Sequence, residues 1–276
     1  MSTEIPPQNA TVPLVAAAPT FGTFPAASVM SECLRLQAEV LPRSPLARFF
    51  GRSPLSDESQ PWYLGTIGEL DVASRLGALA DDWTVVHAVP IGTKGSDIDH
   101  VVVGAAGVFT INTKHHEGAR VWVASRRLLV NGQKTDHLRN TRFEASRTAT
   151  LLSSRAGLDV PVRGAIVIVG AREIKVREQP DDVAVVAATQ LARWLRKQRP
   201  HFDATQYAMV STLVRDAATW TQSAPPAPDL SRFDALRREV AGARRVRMLW
   251  GGTLLVGILA ITAPMAITYY SSVFGG

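Results

Sequence analysis

Several polar residues stand close together in the stretch SDIDHVVVGAAGVFTINTK, which runs from Ser96 to Lys114. Asp97 and Asp99 open one apolar run, and Asn112 and Lys114 close a second apolar run that follows a glycine turn. Alternate side chains of a strand share one face, so Asn112 and Lys114 point the same way. If the two runs pair as a hairpin through GAAG, then Asp99, Asn112 and Lys114 meet at one end of a sheet.

Such a group is suited to metal-dependent hydrolysis of a phosphate ester. An acid and an amide oxygen can hold a hard cation such as Mg²⁺, which prefers oxygen ligands. The cation polarises a phosphoryl oxygen and activates water, and a nearby lysine stabilises the charge that develops. The residues therefore predict a metal bound by Asp99 and Asn112, with Asp99 and Lys114 in catalytic roles. Asn112, however, stands where a third acid is usual and supplies an oxygen without negative charge.

Glu69 is the candidate for the missing acid, as a metal ligand and a catalytic residue. It lies in TIGELDVASRLGAL, whose apolar residues recur at helical spacing, on the same side as Ala73 and Leu76. A carboxylate on an apolar side is costly without a partner, which favours a functional role. The alternative is a capping box from Thr66 to Glu69, in which the glutamate bonds to the backbone of the first helical turn. The sequence leaves both interpretations open.

Other polar residues in this region have plainer interpretations. Asp97 is typical of a turn carboxylate at the entry to a strand, and Lys114 taken alone is typical of a solvated strand end. His115 and His116 are adjacent on a predicted strand, so they point to opposite faces and do not favour a shared zinc ion. The sequence contains no phosphate-binding Walker motif and no dinucleotide fingerprint.

The segments that must position these residues alternate between extended and helical patterns. Short β-branched runs bounded by glycine or charge predict strands in WTVVHAV, DIDHVVV, GVFTIN, ARVWV and GAIVIVG. Helices are predicted from about Asp136 to Arg155 and again in DATQYAMVSTLVRDAATW. This mixture predicts an α/β domain over residues 61–220, with a central mixed sheet flanked by helices. Residues 1–60, rich in Pro and Ala, predict a disordered tail with room for a short helix near Met30.

The last part of the chain predicts an anchor in a membrane. A linker and a basic amphipathic helix are predicted over residues 221–247, with an apolar stripe, including Phe233 and Leu236, that suits a bilayer surface. Residues 248–272 carry no charge and are long enough to cross a hydrocarbon core of roughly 30 Å as a transmembrane helix. Arginines precede this helix and no charge follows it, so the positive-inside rule puts the folded domain in the cytoplasm. A single-pass protein of the cell membrane is expected.

The overall composition limits the classes of function. The chain has 276 residues and a net charge of +6, which suits nucleic acid or anionic lipid as a partner. The same arginines are also explained by membrane topology alone. Cys33 is the one cysteine, so disulfides within the chain and cysteine-based zinc sites are excluded.

Four ordered segments of the sequence resemble the nuclease-related domain (NERD) family: GTIGELDVASRL, GSDIDHVVVGAAGVFTINTKHH, VWVASRRLLVNG and LRNTRFEASR. The resemblance covers roughly residues 62–170. The family is assigned to the PD-(D/E)XK nuclease-like superfamily, which implies a restriction-endonuclease-like fold and metal-dependent hydrolysis of phosphodiesters. The resemblance implies that Asp99 is the first motif acid, Lys114 the motif lysine and Glu69 the acid of the opening helix. Asn112 departs from the motif, which has Asp or Glu there.

Three hypotheses of function follow from these observations. The first is a membrane-anchored, Mg²⁺-dependent nuclease that hydrolyses cytoplasmic DNA or RNA. The second is a catalytically degenerate module that binds nucleic acid or protein at the membrane, which the asparagine at position 112 favours. The third is a structural membrane protein whose α/β domain recruits partners.

Overall fold

The computed structural model describes residues 21–91, 97–220 and 226–274. Residues 1–20 of the predicted tail and residues 221–225 of the predicted linker lie outside the described residues. The described chain forms a five-stranded mixed sheet, a smaller four-stranded sheet, and helices on both faces of the larger one. The predicted α/β fold with a central mixed sheet flanked by helices is therefore confirmed.

The strands are, in chain order, β1 (Thr84–Pro90), β2 (Asp97–Gly104), β3 (Gly107–His115), β4 (Arg120–Ala124), β5 (Arg127–Val130), β6 (Gln133–Lys134), β7 (Val162–Val169), β8 (Glu173–Val176) and β9 (Val183–Ala187). The larger sheet has the order β1-β2-β3-β7-β9 and the smaller one the order β6-β5-β4-β8. β1, β2 and β3 are antiparallel neighbours, whereas β7 and β9 run parallel to β3. The central strands β2, β3 and β7 are rich in Val and Ile, which suits strands covered on both faces.

The helices are α1 (Ala27–Ala38), α2 (Pro45–Phe49), α3 (Ser59–Leu76), α4 (His137–Ala156), α5 (Leu191–Arg196), α6 (Ala204–Arg215) and α7 (Leu230–Phe274). Local sequence explains several of their ends. Asp203 and Gln206 form a capping box at the start of α6. Gly157 ends α4 in the left-handed conformation, at φ 67°, which glycine adopts without strain.

Two helical layers cover the larger sheet, one on each face. On one face, Val72 and Leu76 of α3 pack with α5 against apolar residues of β2, β3 and β7. On the other face, Leu152 of α4 and Val210 of α6 pack against the valines of β1 and β2. The smaller sheet packs against the start of α4 and the far end of β7. The strand ends near Asp99 therefore lie between α3 and α4.

The helix α7 is continuous from Leu230 to Phe274, so the predicted amphipathic and membrane-crossing segments form one element. The sequence suggested that the apolar stripe of its first half lies on a bilayer surface, but in the structure this stripe packs against protein. Phe233 and Leu236 are buried in a cluster with residues of α1 and α3, because those helices supply apolar faces of their own. The described side chains of its second half are exposed, and by length and composition the helix is suited to cross a membrane.

Within the predicted tail over residues 1–60, the short helix that the sequence allowed near Met30 is present as α1. Helix α1 buries Met30, Cys33 and Leu34 against α3 and α7, so these residues belong to the folded domain. The composition of the segment, dominated by Pro and Ala, does not reveal these contacts because they come from distant parts of the chain.

Candidate active site

The larger sheet forks where the polar residues lie. Backbone pairing of β2 with β3 begins at their turn and ends at the His100–Ile111 pair. Past that pair, among the described strands, β2 continues along β1 and β3 continues along β7. The predicted hairpin is present, and its open end carries Asp99, Asn112 and Lys114.

Asp99 bridges the fork with its side chain. The carboxylate is 8% exposed, and its Oδ2 accepts a hydrogen bond from the backbone N–H of Thr113 on β3. A buried N–H needs a partner, and here the carboxylate takes the place of a carbonyl from the neighbouring strand. This bond fixes the orientation of the carboxylate and leaves its other oxygen unused by the backbone of β3.

Glu69 reaches the same fork from α3. The helix begins at Ser59, so Thr66 and Glu69 lie in its middle, and the Thr66 hydroxyl donates to the carbonyl of Trp62 at 2.9 Å. The capping-box interpretation of Glu69 is therefore wrong, because the first helical turn lies well before Thr66. Glu69 is 7% exposed, and the charges of Asp99 and Lys114 shift its pKa in opposite directions.

A glycine allows α3 to approach β3 this closely. A Cβ atom added at Gly68 would stand 3.1 Å from Cβ of His115 and 3.5 Å from a methyl group of Thr113. These distances are at or below ordinary van der Waals contact, so any larger residue would displace α3 from β3. Gly68 thus brings its neighbour Glu69 to the strand end.

A third carboxylate at the site, Glu144 of α4, was missed by sequence reasoning. The Nδ2 of Asn112 donates to both oxygens of Glu144, each at 2.9 Å, and both side chains are buried. The Oδ1 of Asn112 is buried without a hydrogen-bond partner among the described residues. A signal for Glu144 exists in the sequence: it shares the inward stripe of α4 with Thr141 and Thr148, where an unpaired carboxylate would be costly.

Lys114 and Glu69 line a cavity of about 450 Å³ that opens beside the fork. The wall also includes Gly65 of α3 and His116 after β3. The buried groups Asp99, Asn112 and Glu144 do not line this cavity. A ligand in the cavity would therefore meet the lysine and the glutamate of α3 first.

The carboxyl groups of the site influence one another strongly. Burial raises the pKa of Asp99 to about 6, although the charge of Lys114 opposes the shift. Burial, and then the negative charge of Asp99, raises the pKa of Glu69 well above its ordinary value. Burial also raises the pKa of Glu144 to about 7, even though Asn112 donates to it. Negative charge is thus crowded here, and Lys114 is the cation that acts on all three groups.

These donors suit a hard divalent cation with few protein ligands. Within residues 21–91, 97–220 and 226–274, no three His, Cys, Asp or Glu side chains gather in a metal-binding cluster. The three predicted ligands Asp99, Asn112 and Glu69 include only two residues of those types, and the unpartnered Oδ1 of Asn112 is a further oxygen donor. Mg²⁺ is usually held by one or two carboxylates together with water and substrate phosphates. The chemistry of the donor set therefore fits Mg²⁺.

A pair of histidines lies at the end of β3, next to Lys114. His116 stacks on His137, the first residue of α4, with 5.6 Å between ring centroids. The Nε2 atoms of both rings are buried and lack a partner in the described chain. His115 points elsewhere, since its Nδ1 lies 2.8 Å from the carbonyl oxygen of Leu64. The two adjacent histidines thus face different surroundings, as their alternation on a strand predicts.

Comparison with known proteins gives one finding. Residues 64–169 match the model of the nuclease-related domain family. This span runs from α3 to β7 and contains Glu69, Asp99, Asn112, Lys114 and Glu144. No curated protein and no solved structure matches the chain.

Proposed function

We propose that this chain, which carries a nuclease-related domain at residues 64–169, is a membrane-anchored, metal-dependent phosphodiesterase that acts on DNA or RNA. The observation that carries the proposal is that the charges of Asp99 and Lys114 act on the buried Glu69 at the fork between β2 and β3, where Glu69 and Lys114 line an open cavity. These groups come from separate elements. Two of them are buried carboxyl groups, and burying a carboxyl group costs free energy that a purely structural role does not explain.

Asp99, Asn112 and Glu69 would hold Mg²⁺, Asn112 through its Oδ1. When bound, the cation supplies Lewis-acid stabilisation to a phosphate ester that water attacks. Lys114 stands at the cavity, where its ammonium group neutralises charge that develops on the phosphoryl oxygens. The bond from Thr113 N–H to Asp99 keeps that carboxylate in one orientation, so little reorganisation is needed when substrate binds.

Glu144 offers an explanation for the asparagine at position 112, where a third acid is usual. Because Glu144 binds the amide nitrogen of Asn112, the amide oxygen is turned away from α4. When Glu144 is ionised, the pair carries the single negative charge that an acid at position 112 would carry, and the charge lies on α4 instead of on β3. We therefore assign Glu144 as a positioning residue for the proposed ligand Asn112.

The second half of α7 is proposed to anchor the protein in the cell membrane. The exposed apolar residues from Met248 onward would lie in the hydrocarbon, and the arginines before them would face the cytoplasm. The catalytic domain would then act on nucleic acid at the cytoplasmic face.

The test is cleavage of plasmid, linear DNA and RNA by the full chain in detergent, with Mg²⁺ and with chelator. Metal-dependent cleavage should be lost in Asp99→Asn and Lys114→Met. The matched controls Asp181→Asn and Lys175→Met change exposed residues and should cleave normally. Cleavage that survives in both site variants would contradict the proposal.

One observation favours the second candidate function, a binding module without catalysis. The described residues form no cluster of three acidic or histidine ligands, and Asn112 departs from the family motif. Such a module would bind nucleic acid with strong salt dependence, since phosphate contacts release counterions. Salt-sensitive binding by the full chain without any cleavage would support this function over hydrolysis.

A further inference from the structure

An exposed apolar patch lies at the base of the apolar half of α7. It consists of Leu46 and Phe49 of α2, the following Phe50, and Trp250 of α7. These side chains are 70%, 57%, 57% and 42% exposed, respectively. Large apolar side chains are normally scattered singly over a soluble surface, so a contiguous exposed group marks an interaction site.

The patch is part of the folded structure, because α2 and the residue after it contact α7. The ring of Trp250 contacts those of Phe49 and Phe50, with centroids 5.0 Å and 5.7 Å away. The indole Nε1–H donates to the carbonyl of Phe49 at 2.8 Å. Gly51 approaches the α7 backbone so closely that an added Cβ would stand 2.6 Å from the carbonyl oxygen of Ala243.

Basic residues border the patch, and the nearby Glu239 is paired with Arg43 at 2.8 Å. Arg48 and Arg52 border it on the α2 side, and Arg245 and Arg247 on the α7 side, and all four are exposed. Residues 40–52 and 243–276 contain no Asp or Glu. A basic rim around an apolar centre complements the phosphate layer and the acyl boundary of an anionic bilayer.

The position along α7 matches the boundary of a membrane. Trp250 stands at the start of the uncharged segment, and Tyr269 near its end. Tyr269 lies nineteen positions after Trp250, which at about 1.5 Å per residue gives about 28 Å, close to the thickness of a hydrocarbon core. Trp and Tyr favour the two interfaces of a bilayer. The patch is therefore continuous with the surface that α7 would present to lipid.

We infer that the patch is a second membrane contact, in which α2 inserts beside α7 at the headgroup level of a bilayer containing anionic lipid. The inference rests on the proposed anchoring by α7. Two contacts from separate elements restrict rotation of the domain about the α7 axis. The catalytic domain is thus held in one orientation at the membrane surface.

Spin labels on single cysteines in nanodiscs test this, with Cys33→Ser as the background in the full chain. The labels are placed by Leu46→Cys in the patch, Ile258→Cys in the apolar half of α7, and Lys175→Cys on the distant smaller sheet. Accessibility to oxygen is compared with accessibility to a water-soluble nickel chelate. In nanodiscs of phosphatidylcholine with phosphatidylglycerol, the oxygen-to-nickel ratio at positions 46 and 258 should be several-fold higher than at position 175.

The other outcomes separate this inference from the anchoring on which it rests. A protected label at 258 with a water-exposed label at 46 would overturn the patch contact and leave the anchor intact. Water exposure at both positions would overturn the anchor and the patch contact together. A label at 46 shielded from both reagents would indicate a protein partner or a second copy, and would also overturn the inference.

The arginines provide a second measurement. The variant Arg48→Gln/Arg52→Gln keeps the apolar patch but removes half of its basic rim. The oxygen-to-nickel ratio at position 46 should fall several-fold in this variant when phosphatidylglycerol is present. The control Arg172→Gln/Arg177→Gln, on exposed residues flanking β8, should leave the ratio unchanged. Equal ratios in parent and patch variant would contradict the role of anionic lipid.

Discussion

At the residue scale, Asn112 and Glu144 form one hydrogen-bonded unit that links β3 to α4. Amide and carboxylate have nearly the same shape, so Asn112→Asp and Glu144→Gln exchange the position of the charge without changing the packing. The pair therefore offers a direct test of where the site needs its negative charge.

The variant Asn112→Asp alone places two carboxylates in contact and should lower the free energy of unfolding by about 2 kcal/mol without metal. The double variant Asn112→Asp/Glu144→Gln should recover most of this loss and bind Mn²⁺ at least as tightly as the parent. Glu144→Gln alone should weaken Mn²⁺ binding several-fold, while the exposed control Glu178→Gln should not. Urea unfolding and calorimetric titration measure these effects. A double variant no more stable than Asn112→Asp would show that the residues do not act as a unit.

His137 carries a prediction for pH. Burial, and then the charge of Lys114 and the neighbouring His116, lowers its pKa to about 4, with Asp136 opposing the shift. The unfolded chain binds a proton near pH 6.5, so stability present above that pH is lost as the pH falls toward 4.

Between pH 7 and pH 5, His137 should contribute a loss of about 1 kcal/mol, allowing for its partial exposure. The variant His137→Gln should remove this contribution, so its stability relative to the parent should improve at the lower pH. The exposed His201 provides the control His201→Gln, which should show no such change. Urea unfolding at the two pH values is the measurement, and parallel pH profiles of parent and His137→Gln would contradict it.

Sequence reasoning predicted four of the five residues of the proposed site. Asp99, Asn112 and Lys114 were found because strand alternation fixes which side chains share a face. Glu144 was missed because its partner is an amide that lies far away in sequence, and only the packing of α4 on the sheet joins them. The same test that singled out Glu69, a carboxylate on an inward helical stripe, would have found it.

At the element scale, the spacing between α3 and β3 sets the position of Glu69. Sequence patterns predicted both elements, yet they did not give the start of α3 at Ser59, which excludes the capping box. The patterns also did not predict that β2 and β3 separate at their open end. That separation depends on the pairing of β2 with β1 and of β3 with β7, which are contacts with other parts of the chain. The glycines of α3 make this spacing testable.

Gly65 and Gly68 are a matched pair within α3. A Cβ at Gly65 meets nothing within 4 Å, so Gly65→Ala should stabilise the fold by about 0.5–1 kcal/mol through helix propensity. A Cβ at Gly68 meets β3 at 3.1 Å, so Gly68→Ala should lose that gain and Gly68→Val should be destabilising. The Gly68 variants should also reduce the proposed nuclease activity by moving Glu69. Urea unfolding and cleavage assays provide the readouts, and equal behaviour of Gly65→Ala and Gly68→Ala would contradict this account.

At the scale of the whole molecule, α7 belongs to the folded domain as well as to the proposed anchor. Composition predicted a linker, an amphipathic helix and a membrane helix as successive units. It did not predict that the first half of α7 packs on α1 and α3, because the apolar stripe of an amphipathic helix fits a bilayer surface as well as a protein core. The helix therefore connects the proposed membrane span directly to the helix that carries Glu69.

Phe233 is the residue on which this connection depends most. Its side chain is 2% exposed, and its ring centroid lies 5.7 Å from that of Tyr63 on α3. Phe233→Ala should lower the free energy of unfolding by about 3 kcal/mol or more, since it leaves a cavity between α7, α1 and α3. Phe143→Ala, at a site that is 57% exposed, should change it little. Urea unfolding of the full chain in detergent distinguishes the two, and equal small effects would mean that α7 is a tether rather than a structural part of the domain.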